Sequence, residues 1–167
     1  MWKNWPFVAA VAALVLLAIA HGFQTFGHLQ PCELCLKERR IYWFVVAIGF
    51  AGGAVARVAP KFLTGLCLLI ALLFLGGAVL SAYHAGVEWK LWAGPASCTG
   101  GAGHSVTTAD LDRLLRGGSM AVPQCDRAAW VFLGLSMAGW NVLLSLLLAV
   151  GSFRAGVVEF RSRITPK

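Results

Sequence analysis

The chain has 167 residues, of which 59% are hydrophobic and only 13% charged, with a mean hydropathy of +0.74. Soluble domains are about half apolar and a quarter charged, so a soluble domain is excluded and one membrane domain over 1–167 is indicated. The net charge of +7 does not point to nucleic acid, because the basic residues lie in short segments between apolar runs and form no stripe interleaved with aromatics.

The first apolar run, Phe7 to Phe26, is long enough at about 20 residues to cross a hydrocarbon core roughly 30 Å thick. Ala18-Ile19-Ala20 resembles a signal-peptidase site, but Lys3 alone forms the n-region and the apolar character continues through Phe26, so the run reads as a retained span. A polar segment, 27–40, follows. The second run is Ile41 to Val58, with Tyr42 and Trp43 as interfacial anchors. Arg57, Pro60 and Lys61 make a short turn into the third run, Phe62 to Tyr83. The long segment 84–127 opens with Trp89 and Trp92, which predicts that it lies along a bilayer surface. Within it, Thr107-x-x-Asp110 reads as a capping box, with Leu111, Leu114 and Leu115 at helical spacing and Gly117 as a stop. A short amphipathic helix is therefore expected there. The fourth run is Ala128 to Val150. The expected fold is an all-α membrane protein, a four-transmembrane-helix bundle. Seven Lys/Arg fall on each side, but more densely at the termini and the 57–61 turn, which predicts that those face inward.

Five cysteines are present, at 32, 35, 67, 98 and 125. Cys67 lies within an apolar run and reads as a buried, inert residue. Cys32 and Cys35 form a Cys-x-x-Cys at what should be the first turn of the second spanning helix, where unsatisfied N–H groups and the helix dipole favour thiolate. Arg39, one turn beyond Cys35, predicts that Cys35 is the sulfur of lower pKa. A structural disulfide or half of a zinc site is the plainer alternative. Cys98 and Cys125 could form a staple closing a loop of about 28 residues, worth roughly 3–4 kcal/mol, or an exposed pair that exchanges with another protein. All four together could make a Cys₄ zinc site, although the wide spacing of the second pair argues against it.

Read together, these residues carry a resemblance. Pro31-Cys32-x-Leu34-Cys35 with Arg39, Tyr83-His84 closing the third run, Cys98, and Cys125-Asp126 leading into Trp130-x-Phe132-Leu133-Gly134-Leu135-Ser136-Met137-Ala138-Gly139-Trp140-Asn141 resemble the DsbB family of membrane disulfide-bond formation proteins. The resemblance implies four spans with cytoplasmic termini, periplasmic cysteine loops and the bacterial inner membrane. It implies an enzyme that reoxidises a periplasmic, thioredoxin-like DsbA and passes two electrons to ubiquinone or menaquinone. Cys98 would take the partner's attack, Cys125 would attack Cys32, and Cys35 would face the quinone as thiolate. Arg39 and His84 would lie beside the quinone. No resident metal is implied. A vitamin K epoxide reductase-like enzyme also joins cysteines to quinones, but there the redox Cys-x-x-Cys usually comes late in the chain. A membrane scaffold with structural disulfides or zinc is the non-enzymatic alternative. His21, Gln24 and His28 are expected to reach the headgroups, and Ser136, Trp140 and Asn141 to link helices.

Overall fold

The computed structural model describes residues 2–95, 98, 112, 115–116 and 125–165. Four long helices carry the chain: α1 (Trp5–Thr25), α2 (Glu33–Val58), α3 (Leu63–Glu88) and α4 (Met137–Ile164), each long and apolar enough to cross a membrane. The protein is thus the all-α, four-span bundle that its hydropathy predicts.

The helices pack through small residues, as they must where lipid is as apolar as any side chain. On α1, Ala9, Ala10 and Ala13 are buried, whereas Val8, Val11, Val15 and Ile19 form a half-exposed ridge on another face. At Gly49 of α2 a Cβ would lie 2.7 Å from Pro6 O and 2.8 Å from the Ala10 Cβ, so the α1–α2 crossing requires glycine there. The buried stripe of α2 runs Leu34, Glu38, Tyr42, Val45, Gly49, Gly53 and Ala56, a spacing of three and four. Helix α3 is the most buried element and shares its longest seam with α4, whose inner face is Ala138, Gly139, Ser145, Ala149, Ser152, Ala155 and Gly156. Cys67 is fully buried in that seam region.

The starts of α1 and α3 and the ends of α2 and α4 gather at one end. Arg163 donates to the carbonyls of Pro60 and Lys61, and the Arg57 guanidinium sits 4.6 Å from the Phe7 ring centroid. The Cys-x-x-Cys lies at the other end.

Three elements differ from expectation. Helix α2 already begins at Glu33, inside the segment 27–40 expected as a polar loop. Helix α3, expected to stop at 83, continues through Gly86 to Glu88, because no proline intervenes before Lys90 at φ 60. The fourth run, expected over 128–150, begins instead as a hairpin of β1 (Val131–Phe132) and β2 (Leu135–Ser136), paired Val131↔Ser136 and Phe132↔Leu135. Leu133 and Gly134 both have positive φ, 51 and 79, as a tight hairpin turn demands. Ser136 then caps α4 by accepting from Gly139 N–H at 3.1 Å, and the helix runs to Ile164. Tyr42, expected at the interface, is buried at 5% exposure. Of the amphipathic helix expected around Thr107, Asp110, Leu111 and Leu114, those residues lie outside the described ones; Asp112 and Leu115 are helical, and Asp112 pairs with Arg116 at 3.0 Å.

Candidate functional site

Helix α2 begins on a sulfur. Cys32 is its N-cap residue, extended at ψ 172, and its Sγ accepts from Cys35 N–H at 3.2 Å. The Cys35 sulfur lies 2.8 Å from the Cys32 sulfur, so only a small side-chain adjustment separates the dithiol from a disulfide. The hydrogen bond from the Cys35 thiol, aided by the Cys35 N–H and opposed by burial, holds the Cys32 thiol below the usual cysteine range. The sequence expectation placed the low pKa on Cys35. The capping geometry gives it to Cys32, because the residue that precedes the helix receives the free N–H groups.

Behind the cysteines lies a buried polar chain that the sequence does not announce. His84, on the extension of α3, places Nε2 3.5 Å from Cys32 Sγ and Nδ1 2.9 Å from Glu38 Oε1. Glu38 Oε2 accepts from Asn141 Nδ2 at 2.7 Å, and the same amide donates to Ser81 Oγ at 2.6 Å. Asn141 Oδ1 accepts from the Tyr42 hydroxyl, which lies 2.8 Å from Ser145 Oγ. One connected set thus ties α2, α3 and α4 together at the level of the cysteines. Glu38 and His84 are 7% and 4% exposed, and a buried charge persists only when partnered in this way. Glu88, four residues after His84, places Oε1 3.9 Å from Nε2 with its side chain 6% exposed.

Arg39 points the other way, toward α1. It donates to Gln24 Oε1 at 2.6 Å and Ala20 O at 2.9 Å. Gln24, expected among the headgroups, is therefore the anchor that fixes this guanidinium. His21 turns back on its own helix, its Nδ1 2.8 Å from Leu17 O.

Cys35, Glu38, Arg39 and His84 line one end of a cavity of about 360 Å³ between α1, α2 and α4. Its remaining wall is apolar and aromatic. Phe23 meets Trp130 at 5.1 Å between ring centroids, Trp130 stacks on Phe132 at 5.6 Å and 12°, and Phe132 meets Trp140 at 6.4 Å. The hairpin supplies the middle of this ladder, and Trp140 Nε1 donates to Phe132 O at 3.0 Å to hold it against α4.

The second pair, Cys98 and Cys125, is a disulfide. Its two sulfurs are bonded to each other, so no four-thiolate set exists. Contrary to the expectation of an exposed pair, each is 1% exposed. Both pack in one cluster with Cys32, Leu34 and Val87, flanked by Cys35 and Leu80. Val87 owes its place to the extension of α3. All six residues singled out from the sequence therefore converge on one end of the bundle, with Cys35, Arg39 and His84 at the cavity and Cys98 and Cys125 packed with Cys32 beside it. Asn141 links helices as expected, bonding Glu38 and Ser81, whereas Glu38, Glu88 and Tyr42 were not foreseen as part of the site. Glu38 offers no signal among Lys37, Arg39 and Arg40, since its burial depends on His84.

Fold and site together define a multi-pass membrane protein with a cap-bound Cys-x-x-Cys and a second cysteine pair beside it. The sequence profile described as "Disulfide bond formation protein DsbB" matches residues 3–155. The chain is similar to Disulfide bond formation protein B of Methylococcus capsulatus, 33% identical over 83% of this chain and 82% of that one. It is 31% identical to the proteins of the same name from Polaromonas sp. (86% and 83% covered) and Mannheimia succiniciproducens (90% and 85% covered). The chain belongs to the DsbB family.

Proposed function

We propose that this protein is a dithiol:quinone oxidoreductase of the bacterial inner membrane, with cytoplasmic termini and periplasmic cysteines, that reoxidises a DsbA-like thiol oxidase. The observation that carries this reading is the packing of both cysteine pairs in one cluster whose inner sulfur, Cys35, opens on the aromatic cavity. The partner's dithiol reduces the Cys98–Cys125 disulfide: one partner thiolate attacks Cys98, and the mixed disulfide is resolved by the partner's second sulfur. The Cys98–Cys125 dithiol then reduces the Cys32–Cys35 disulfide, with Cys125 attacking Cys32. Each exchange moves two electrons and leaves two protons on the reduced pair.

A membrane quinone supplies the final step by accepting two electrons and two protons. The residues present fit it: a flat apolar ring suits walls made of Phe23, Trp130, Phe132 and Trp140, and a carbonyl suits the Arg39 end. Arg39 is held by α1 through Gln24 and Ala20, so its charge is oriented before any acceptor arrives. His84, with Nε2 3.5 Å from Cys32 Sγ and Nδ1 2.9 Å from Glu38 Oε1, is placed to hold a proton beside the sulfurs while Glu38 balances its charge.

Stopped-flow absorbance of quinone mixed with the protein and a reduced thioredoxin-like partner tests this. The parent should reduce quinone and Cys98→Ser should not; absence of turnover in the parent would reject the assignment. Arg39→Ala should raise the apparent quinone KM by about tenfold or more, the loss of one charge-assisted hydrogen bond, while both disulfides still form. Unchanged quinone kinetics would remove Arg39 from the site.

A further inference from the structure

The two sulfurs of the Cys-x-x-Cys do not stand alone. Cys32, Cys35 and His84 present three ligand atoms within 4.8 Å of one another. The histidine is supported as metal-binding histidines are: Nδ1 faces the Glu38 carboxylate at 2.9 Å, which leaves Nε2 directed at the sulfurs. Asn141 holds Glu38 in turn, so the imidazole plane is fixed from behind. A carboxylate stands next to the histidine, outside this group of three and hydrogen-bonded to Ser136. The Glu88 side chain is 6% exposed, its Oε1 is 3.9 Å from His84 Nε2, and its Oε2 has no hydrogen-bond partner among the described residues. A buried carboxylate oxygen left bare is costly, and a cation is one thing that would satisfy it.

We propose that the dithiol form of this site binds one zinc ion through Cys32, Cys35 and His84, with Glu88 as the fourth ligand. Tetrahedral zinc with Zn–S of about 2.3 Å and Zn–N of about 2.0 Å sets a sulfur–nitrogen edge of about 3.5 Å and a sulfur–sulfur edge of about 3.8 Å. The Cys32–His84 edge is already 3.5 Å, and the two sulfurs, at 2.8 Å, would separate by about 1 Å through side-chain rotation. Two thiolates, a neutral imidazole and a carboxylate suit a borderline cation over calcium or magnesium. Binding expels the two thiol protons and leaves the net oxidation state unchanged. The Cys32–Cys35 disulfide offers no thiolates, so the ion and the disulfide exclude each other. Zinc would therefore arrest the protein in its reduced state, reached through the cavity on which Cys35 opens.

The protein in detergent is reduced with a phosphine, freed of reductant, and titrated with cobalt(II) as the zinc probe. The expected result is one cobalt per chain with thiolate-to-metal absorption and tetrahedral ligand-field bands, bleached by added zinc, and no binding by the Cys32–Cys35 disulfide form. A Cys98→Ser/Cys125→Ser variant should bind equally well. Glu38→Gln should weaken binding about 10–100-fold by loosening the histidine, and Cys32→Ser should remove the thiolate bands. Failure of the reduced parent to bind, loss of binding in the Cys98→Ser/Cys125→Ser variant, or unchanged affinity in both His84→Gln and Glu88→Gln would overturn the proposal. No electron acceptor is involved, so this result and the redox assignment stand or fall separately.

Discussion

Cys32 shows how one backbone position can set chemistry. As the N-cap of α2 it receives the Cys35 N–H and the Cys35 thiol, and both favour its anion. In the reduced protein, thiolate-dependent alkylation of Cys32 should rise with pH through an inflection on the acid side of the ordinary value of about 8.5. Cys35→Ser removes the larger cause, so the inflection should move upward. A rate–pH profile by mass spectrometry checks both. The sign for stability follows: a depressed folded pKa contributes stability to the dithiol state that is fully present above the unfolded pKa and lost as pH falls through the folded one. Tyr42 is the other informative residue. Its hydroxyl joins Asn141 and Ser145 at the centre of the bundle, so Tyr42→Phe should cost roughly 0.6–1.7 kcal/mol, the range for hydrogen bonds inside membranes. A denaturant titration in detergent measures it.

Among the elements, α1 and α2 meet where Gly49 leaves no room for a Cβ beside Ala10 and Pro6. Gly49→Val should destabilise by about 1–3 kcal/mol through overpacking, and because Arg39 is anchored on α1 it should also, on the proposed function, weaken quinone reduction more than partner oxidation. Thermal unfolding and the two half-reactions separate these effects. The hairpin escapes the sequence because Val131, Phe132, Leu133 and Leu135 are as apolar as a span, and hydropathy cannot tell an exposed apolar strand from the start of a helix. The extension of α3 escapes for the opposite reason. His84 and Glu88 break the apolar run although the helix persists, the imidazole being paired with Glu38 on α2 and lying 3.9 Å from Glu88. Four helices were legible because about 20 apolar residues have few ways to satisfy their backbone in lipid. Cys32, Cys35, Arg39 and His84 were legible because their residue types and spacing carry chemistry by themselves. Asn141 was legible as a helix-linking amide, but Glu38 was not, because burial is a property of the partners.

At the scale of the molecule, all turns that carry basic residues between α2 and α3 and beyond α4 meet at one end, with the cysteines at the other. A reporter active only in an oxidising space should stay silent when fused after Lys61 and become active when inserted beside Leu115; the reverse pattern would invert the proposed orientation. The buried outer disulfide has a kinetic corollary. Residues with 1% of their surface open can meet no macromolecule until they part from Val87 and Leu80. On the proposed function, each encounter with the partner protein then waits on a local opening, so the rate should plateau as partner concentration rises, at a ceiling set by how often the pair comes free.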